Sequence, residues 1–357
     1  MTNKNMDRIV FLDYMRTIAF ISVLIGHKFI GHIIDALNDD SIHASTKMLL
    51  TALFHICYGG AAGVVIFFIT SGYIILHVMQ TETTKEFIIK RIFRVYPLFI
   101  FAVVLEAVLD RLIMDKPFAD ISTWIPRLLL LGDYFEVRPV LGSVEWTLRI
   151  EISFYILMAL LKSLGLIRKQ QILPLIFIAV TVFIHLLPPF STAPGLAYGY
   201  FSAYSPFLFI GSCIYLIEKK LAPTNLCIFT ITLIMVSFFN KIATYIQDWK
   251  DLNYGVYALA IFTVAWAMRY KIVDGPIVRI LSSLTYSVYL FHNWLWTYIQ
   301  MGASGIGVPS EYLKLVTVSS LFLFCYIINK TVEQKGLALG RFALRYTSRK
   351  NKVSVPA

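Results

Sequence analysis

The chain has 357 residues, of which 58% are hydrophobic and only 15% are charged. Ordinary globular proteins contain about 25% charged residues, and a water-soluble fold could not cover this much apolar surface with so few charges. We therefore expect a polytopic membrane protein rather than two soluble domains. The net charge of +11 does not indicate nucleic-acid binding, because the basic residues lie in short clusters between apolar runs.

About ten segments have the length and apolar character of membrane-spanning helices, roughly 17–25 residues each. They are 9–31, 60–79, 95–113, 147–165, 171–187, 202–217, 225–241, 254–269, 283–300 and 312–330. The stretch 49–58 could extend the second segment, and 121–135 could form an interfacial helix. The predicted fold is an all-α transmembrane bundle of about ten spans.

The distribution of lysine and arginine predicts the orientation of this bundle. With the N-terminus inside the cell, internal segments hold 21 of the 32 basic residues, whereas the outer loops 188–201 and 301–311 hold none. The positive-inside rule therefore places both termini in the cytoplasm. We expect a transmembrane domain over 9–333 and a basic cytoplasmic tail over 334–357. The four cysteines lie in apolar runs without metal-binding spacing, so no metal site is expected.

The first segment contains ionisable residues, each of which costs at least about 2.5 kcal/mol inside a bilayer. Arg16 and His27 are eleven residues apart, which on a helix leaves about 20° of rotation and about 16 Å of rise. They therefore share one face, and Asp13 can pair with Arg16 from three residues away. The alternative is that Arg16 reaches the inner interface and His27 lies in the outer one.

Two further motifs combine small or basic residues with apolar surroundings. Ser71-Gly72 interrupts the second apolar segment, which suits either close helix packing or the approach of a ligand. Arg91 and Arg94 are neighbours on a helix surface at the predicted cytoplasmic mouth, where guanidinium groups could bind phosphates. The alternative for this pair is an ordinary positive-inside cluster.

A carboxylate and a histidine complete the set of candidate residues. Glu151 lies at the start of the fourth apolar segment, and a carboxylate there needs a polar partner. His292 lies in the ninth segment. It could be a ligand or base, or a core histidine satisfied by a hydrogen bond near the outer interface.

Five motifs appear in one order along the chain. Leu-Asp-x-x-Arg and a histidine after ten further residues occupy 12–27, and Phe-Phe-x-x-Ser-Gly occupies 67–72. Arg-x-x-Arg-x-x-Pro occupies 91–97, Trp-x-Leu-x-x-Glu-x-x-Phe-Tyr occupies 146–155, and Tyr-Ser-x-Tyr-Leu-x-His occupies 286–292. In this combination the chain resembles the acyltransferase-3 family of integral-membrane acyltransferases, which acylate bacterial cell-surface glycans. The chain looks like the standalone form of that family.

The resemblance implies an enzyme of the inner (plasma) membrane. It would transfer an acyl group, commonly acetyl, from cytoplasmic acyl-coenzyme A to a hydroxyl of a surface glycan or a lipid-linked oligosaccharide. The expected partners are therefore the sugar acceptor and membrane lipid. One departure concerns Glu333, because the family often closes with Glu-x-Pro and this chain has Glu-Gln-Lys at 333–335.

The resemblance also implies roles for the candidate residues. His27 would act as a general base on the acceptor hydroxyl or as a transient acyl carrier. Arg16 could orient this base, bind the donor or stabilise oxyanion charge, and Glu151 could pair with an arginine or orient a histidine. The donor would be held by Arg91 and Arg94 through its phosphates, while Ser71 lines the substrate path.

A transporter or flippase for a glycolipid or an acylated metabolite is the alternative function. Intramembrane ionisable residues also occur in transport paths, and many transporters contain repeated halves. No such repeat is evident here, and the order of the motifs favours the enzyme. A structural subunit of a polysaccharide assembly would leave the charges inside the apolar segments unexplained.

Overall fold

The computed structural model of the protein describes residues 8–190 and 199–353, and within them every regular element is a helix. The α-helices in chain order are α1 Val10–Lys28, α2 Ile30–Asn38, α3 Ala44–Cys57, α4 Ala61–Met79, α5 Thr84–Ile113, α6 Ile121–Leu128, α7 Glu145–Ser163, α8 Leu173–Leu186, α9 Tyr200–Tyr204, α10 Phe207–Glu218, α11 Thr224–Tyr245, α12 Tyr254–Ala267, α13 Pro276–Phe291, α14 Trp294–Gly305, α15 Ser310–Ile328 and α16 Gln334–Val353.

In the part of the chain that the structure describes, six helical segments are long and apolar enough to cross a membrane, as judged by length and composition. They are Val10–Lys28, Ala44–Met79, Thr84–Ile113, Tyr200–Glu218, Thr224–Tyr245 and Ser310–Tyr346. Two shorter apolar helices cover Gln170–Leu186 and Pro276–Phe291. The all-helical membrane class is therefore confirmed, while the count of ten spans and the cytoplasmic position of both termini stay predictions.

The helix boundaries differ from the predicted segments at several places. The ninth predicted segment is divided, because α13 ends at Phe291 and α14 begins at Trp294. The stretch that includes 49–58 forms the separate helix α3, which a short turn over Tyr58–Gly60 divides from α4. Beyond α15, a π-helical turn over Asn329–Glu333 leads into α16, so the predicted basic tail is helical as far as residue 353.

The chain divides into two compact units. The first unit comprises residues 1–70 and 251–285, and the second comprises 71–250 and 286–357. Two of the three boundaries fall inside α4 and inside α13, so each of these helices contributes to both units, and the third lies between Lys250 and Asp251.

Glycines allow close backbone contact in the first unit, where α1 packs against the α3–α4 turn. A Cβ atom on Gly26 would lie 1.9 Å from the carbonyl oxygen of Cys57, and one on Gly63 would lie 2.4 Å from that of Ala19. The hydroxyl of Ser22 also donates to the carbonyl of Ile56 over 2.9 Å. The C-terminal half of α1 is therefore held tightly against α3 and α4.

A glycine also allows close backbone contact between α4 and α10 in the second unit. A Cβ atom on Gly72 would lie 1.8 Å from the carbonyl oxygen of Leu208, and the hydroxyl of Ser212 donates to the Gly72 carbonyl over 3.1 Å. Farther along the chain, Gly336 and Gly340 of α16 allow contact with Pro97 and Phe93 of α5. These contacts fix α4 and α5, which carry Ser71, Arg91 and Arg94, and hold α16 against α5.

Candidate active site

In the first unit, Asp13 is the centre of an ionic cluster at the beginning of α1. It is buried and accepts hydrogen bonds from the Arg8 Nε and the Ser282 hydroxyl, each over 2.6 Å. Arg16 Nη1 lies 3.5 Å from an Asp13 carboxylate oxygen, which confirms the ion pair expected from their spacing. Since Asp13 has several partners, its negative charge is shared, and the Arg16 side chain stays 30% exposed.

A second carboxylate continues this cluster on the loop before α13. Arg279 donates hydrogen bonds to Asp274, and this holds the pKa of the Asp274 carboxyl below its usual range. Arg8 Nη1 lies 3.5 Å from Asp274, so Arg8 bridges the two carboxylates. The end of α1 that carries Arg16 is thus tied to the α12–α13 loop by charge.

His27 lies in the last turn of α1, on the same continuous helix as Arg16, as the sequence predicted. Its side chain is exposed, whereas the adjoining Gly26 is buried against the α3–α4 turn. His32 belongs to the next helix, α2, because the chain leaves helical geometry at Phe29. His27 therefore presents an exposed imidazole at one end of α1, whose other end carries the Arg16–Asp13 pair.

In the second unit, Ser71, Glu151 and Tyr155 form a hydrogen-bonded set that we term the Glu151 triad. The Ser71 hydroxyl donates to Glu151 Oε1 over 2.8 Å, and the Tyr155 hydroxyl donates to the same oxygen. All three side chains are buried. Glu151 and Tyr155 share a face of α7 because they are four residues apart, whereas Ser71 belongs to α4. Packing thus satisfies a buried carboxylate with two hydroxyls.

The Ser-Gly motif has two roles that the sequence left as alternatives. Gly72 provides the close backbone contact with α10, which is the packing role. Ser71, the preceding residue, contacts Glu151, which is the polar role. The two readings are compatible because adjacent residues on a helix point about 100° apart.

Arg91 lies beside the triad, on α5. Its guanidinium carbon is 5.9 Å from the centre of the Tyr155 ring and 5.5 Å from that of Phe87, in reach of cation–π attraction. Its Nε is buried and has no hydrogen-bond partner among the residues that the structure describes. Arg91 also lines a cavity of about 510 Å³ between α5 and α7, whose other walls are apolar or aromatic.

Arg94, the second predicted phosphate ligand, has a different environment. Its Nη1 lies 3.0 Å from Glu333, which is 2% exposed and also accepts a hydrogen bond from the Asn329 side chain. Glu333 is thus a partner of a candidate residue despite the incomplete Glu-x-Pro pattern around it. In the sequence, the position of Glu333 directly after an apolar run could have indicated an ion pair. Its partner, Arg94, could not be identified from the sequence alone.

His292 is buried at the break between α13 and α14. Its Nδ1 is 2.7 Å from the Tyr289 carbonyl oxygen, so this nitrogen fits the donor role in a local hydrogen bond. Sequence had left open a ligand or a core histidine, and this contact favours the core histidine.

A buried network of charged side chains at the start of α7 was not recognised from the sequence. Arg149 contacts Asp133 over 2.8 Å and Glu145 over 3.3 Å, and Tyr200 also donates to Asp133. The Glu145 carboxylate accepts from the backbone of Val140 over 2.9 Å. This network holds the α6–α7 loop and α9 against the N-terminal end of α7.

The structure thus brings Ser71, Glu151 and Arg91 together around α7, whereas Arg94 forms an ion pair with Glu333. Arg16 and His27 lie along α1 in the other unit. Within the described residues, no group of three or more His, Cys, Asp or Glu side chains could hold a metal ion.

The structure is thus that of an all-helical membrane protein with a buried carboxylate, Glu151, among apolar helices. A family model described as an acyltransferase domain matches residues 9–329. The chain therefore belongs to the acyltransferase-3 family and is a membrane acyltransferase. No curated protein and no solved structure matches it.

Proposed function

We propose that the protein transfers an acyl group, commonly acetyl, from acyl-coenzyme A to a hydroxyl of a cell-surface glycan or lipid-linked oligosaccharide. The reaction takes place in the inner (plasma) membrane. The family match over residues 9–329 carries this proposal, and the polar residues that line apolar helices support it. A sugar hydroxyl is a weak nucleophile at neutral pH and requires a positioned base.

In the proposed reaction, His27 takes the proton of the acceptor hydroxyl while the hydroxyl oxygen forms a bond with the thioester carbonyl carbon. The carbon–sulfur bond then breaks, and the coenzyme A thiolate accepts this proton from the imidazolium. A route through acyl-His27 uses the same groups in two steps. Arg16 stabilises negative charge on the carbonyl oxygen. The role proposed for Glu151 is to pair with an arginine or to orient a histidine.

The remaining predicted residues are proposed to hold substrate. Arg94 and Ser71 belong to the donor side, with Arg94 oriented by its ion pair with Glu333. For Arg91 we propose the same donor-binding role, as a ligand of the donor's phosphates, which the family resemblance implies. A guanidinium beside a cavity is suited to this role because it binds phosphate oxygens bidentately.

The direct test is acyl transfer by the purified protein in detergent or nanodiscs. Wild-type protein should release free coenzyme A thiol from acetyl-coenzyme A and place radiolabelled acetyl on a glycan or lipid-linked oligosaccharide from the cell envelope. A flippase would release no thiol, so labelled lipid movement without thioester cleavage would refute the enzyme. Thiol release without a labelled acceptor sugar would refute the proposed acceptor class.

We also propose that both termini face the cytoplasm, with the transmembrane domain over 9–333 and the basic tail over 334–357 on the inner side. This orientation rests on the distribution of basic residues along the sequence. Single cysteines at positions 170 and 220 should resist an impermeant thiol reagent in intact cells and react after permeabilisation. Strong labelling of either position from outside would refute the orientation.

A further inference from the structure

Helix α16 extends beyond the length that a membrane span requires. The helical segment Ser310–Tyr346 has 37 residues, which at 1.5 Å per residue is about 55 Å, whereas the hydrocarbon core of a bilayer is about 30 Å thick. Helix α15, with 19 residues, is about 28 Å long and is sufficient to cross that core. A π-helical turn over Asn329–Glu333 then leads into α16. We therefore expect α16 to lie at the boundary of the membrane.

One face of α16 packs against α5. A Cβ atom on Gly336 would lie 2.9 Å from the Cβ of Pro97, and one on Gly340 would lie 2.8 Å from the Cβ of Phe93. Since the contacts on α5 move toward its N-terminus as α16 advances, the two helices run antiparallel. Residues of α16 beyond Gly340 therefore lie past the start of the apolar segment predicted over 95–113, which agrees with a position at the membrane boundary.

A second face of α16 is apolar and exposed. It consists of Leu339, Phe342 and Tyr346, whose exposed fractions are 57%, 68% and 58%, and we term it the apolar stripe. At 100° per residue the three positions lie within about 60° of one another around the helix axis. A helix that rests on a membrane buries such a stripe in the acyl-chain boundary.

The charges on α16 have one sign, and the exposed arginines lie on a third face. Arg341 and Arg345 are four residues apart and lie about 110° around the axis from the apolar stripe. The sequence of α16 contains neither Asp nor Glu, and its basic residues are Lys335, Arg341, Arg345, Arg349, Lys350 and Lys352. A basic face beside an apolar stripe is typical of helices that bind anionic membranes, because a bilayer offers hydrocarbon and phosphates at adjacent depths.

We propose that α16 is an interfacial helix that binds anionic phospholipid, with the apolar stripe in the acyl-chain region and Arg341 and Arg345 on lipid phosphates. Guanidinium groups bind phosphate oxygens bidentately. The glycine contacts with α5 fix the rotation of α16 about its axis, so both exposed faces meet the membrane surface at once. The inference does not depend on acyl transfer, and it applies to whichever leaflet α16 meets.

The lipid test compares photoreactive phosphatidylglycerol with photoreactive phosphatidylcholine on the full-length protein in phosphatidylcholine nanodiscs. Phosphatidylglycerol should label peptides from 338–346 at the lower concentration. Each basic side chain near an anionic surface favours binding about fivefold, so Arg341→Gln/Arg345→Gln should weaken this labelling about 30-fold, and the corresponding double lysine variant should keep most of it. The matched control Arg168→Gln/Lys169→Gln removes two exposed basic side chains between α7 and α8 and should leave it unchanged.

The depth test measures where the two exposed faces of α16 lie in nanodiscs that contain phosphatidylglycerol in both leaflets. The four native cysteines are buried, so a nitroxide reagent should modify an added surface cysteine selectively. A nitroxide on Phe342→Cys should collide with oxygen, which concentrates in hydrocarbon, more often than with a water-soluble nickel chelate. A nitroxide on Arg345→Cys should show the opposite preference.

Three results would overturn the inference. The first is equal labelling of α16 by the two lipids, or labelling that persists in the double glutamine variant while thermal unfolding shows it to be folded. The second is a nitroxide at 342 that collides mainly with the nickel chelate, since the apolar stripe would then lie in water. The third is displacement of phosphatidylglycerol by coenzyme A, which would assign the arginines to a soluble phosphate ligand. Neither test involves thioester cleavage, so failure of the proposed function would leave these outcomes unchanged.

Discussion

The sharpest prediction from the geometry concerns Glu151→Gln and Glu151→Ala. Both hydroxyls of the triad donate to one oxygen, Oε1, so the amide oxygen of glutamine can keep both hydrogen bonds and only the charge is lost. Hydrogen bonds to a charged group contribute about 1 kcal/mol more than neutral ones, which predicts a loss of about 2 kcal/mol in the free energy of unfolding. Alanine leaves two buried hydroxyls without their acceptor and should cost about 2–6 kcal/mol.

Activity should separate from stability in these variants. If the carboxylate charge acts in the reaction, Glu151→Gln should fold and yet lose at least about 100-fold in the single-turnover rate of acyl transfer. The measurements are thermal unfolding in detergent and quenched single-turnover transfer from radiolabelled acetyl-coenzyme A. A Glu151→Gln variant that keeps more than about a tenth of the wild-type rate would show that only the hydrogen bonds matter.

Single hydroxyl deletions provide the control for this reasoning. Ser71→Ala and Tyr155→Phe each remove one donor, and each should cost less than Glu151→Ala because the carboxylate keeps the other bond. In the Ser71→Ala/Glu151→Ala double variant, the two losses should sum to more than the measured loss, since both remove the same bond. Strict additivity of the losses would contradict the hydrogen bond between these two residues.

Three further predictions concern other parts of the molecule. His27→Ala should abolish acyl transfer at unchanged thermal stability and His32→Ala should be neutral; retention of more than about a tenth of wild-type kcat would remove His27 from the proposed role. Arg94→Ala and Glu333→Ala should each lower the Tm. The double variant should lose less than the sum of the two single losses, because no unpaired charge remains buried. A loss in the double variant that equals or exceeds this sum would contradict the pairing. Gly72→Ala would place a methyl carbon 1.8 Å from a backbone carbonyl of α10 and should prevent stable packing, so wild-type thermal stability and activity in this variant would refute the close contact.

Local properties of the sequence determined the membrane class, the helical fold and the family. Apolar runs of bilayer length form helices because every backbone polar group must be satisfied inside the segment. The Asp13–Arg16 pair and the alignment of Arg16 with His27 also follow from helical periodicity, and α1 is continuous over all three residues. The number of spans and the boundaries of divided helices were less accessible, since the interruption after Phe291 has no strong helix-breaking residue.

Tertiary structure decided which candidate residues meet. Ser71 and Glu151 are 80 positions apart, and their contact depends on how α4 packs beside α7. The same kind of packing distinguished Arg91 from Arg94, which looked equivalent in sequence, because only Arg94 has Glu333 as an ion-pair partner. Side-chain chemistry and helical spacing are local and can be read in order along the chain. Partners between helices depend on crossing angles and close backbone approaches, which are properties of the whole packed bundle.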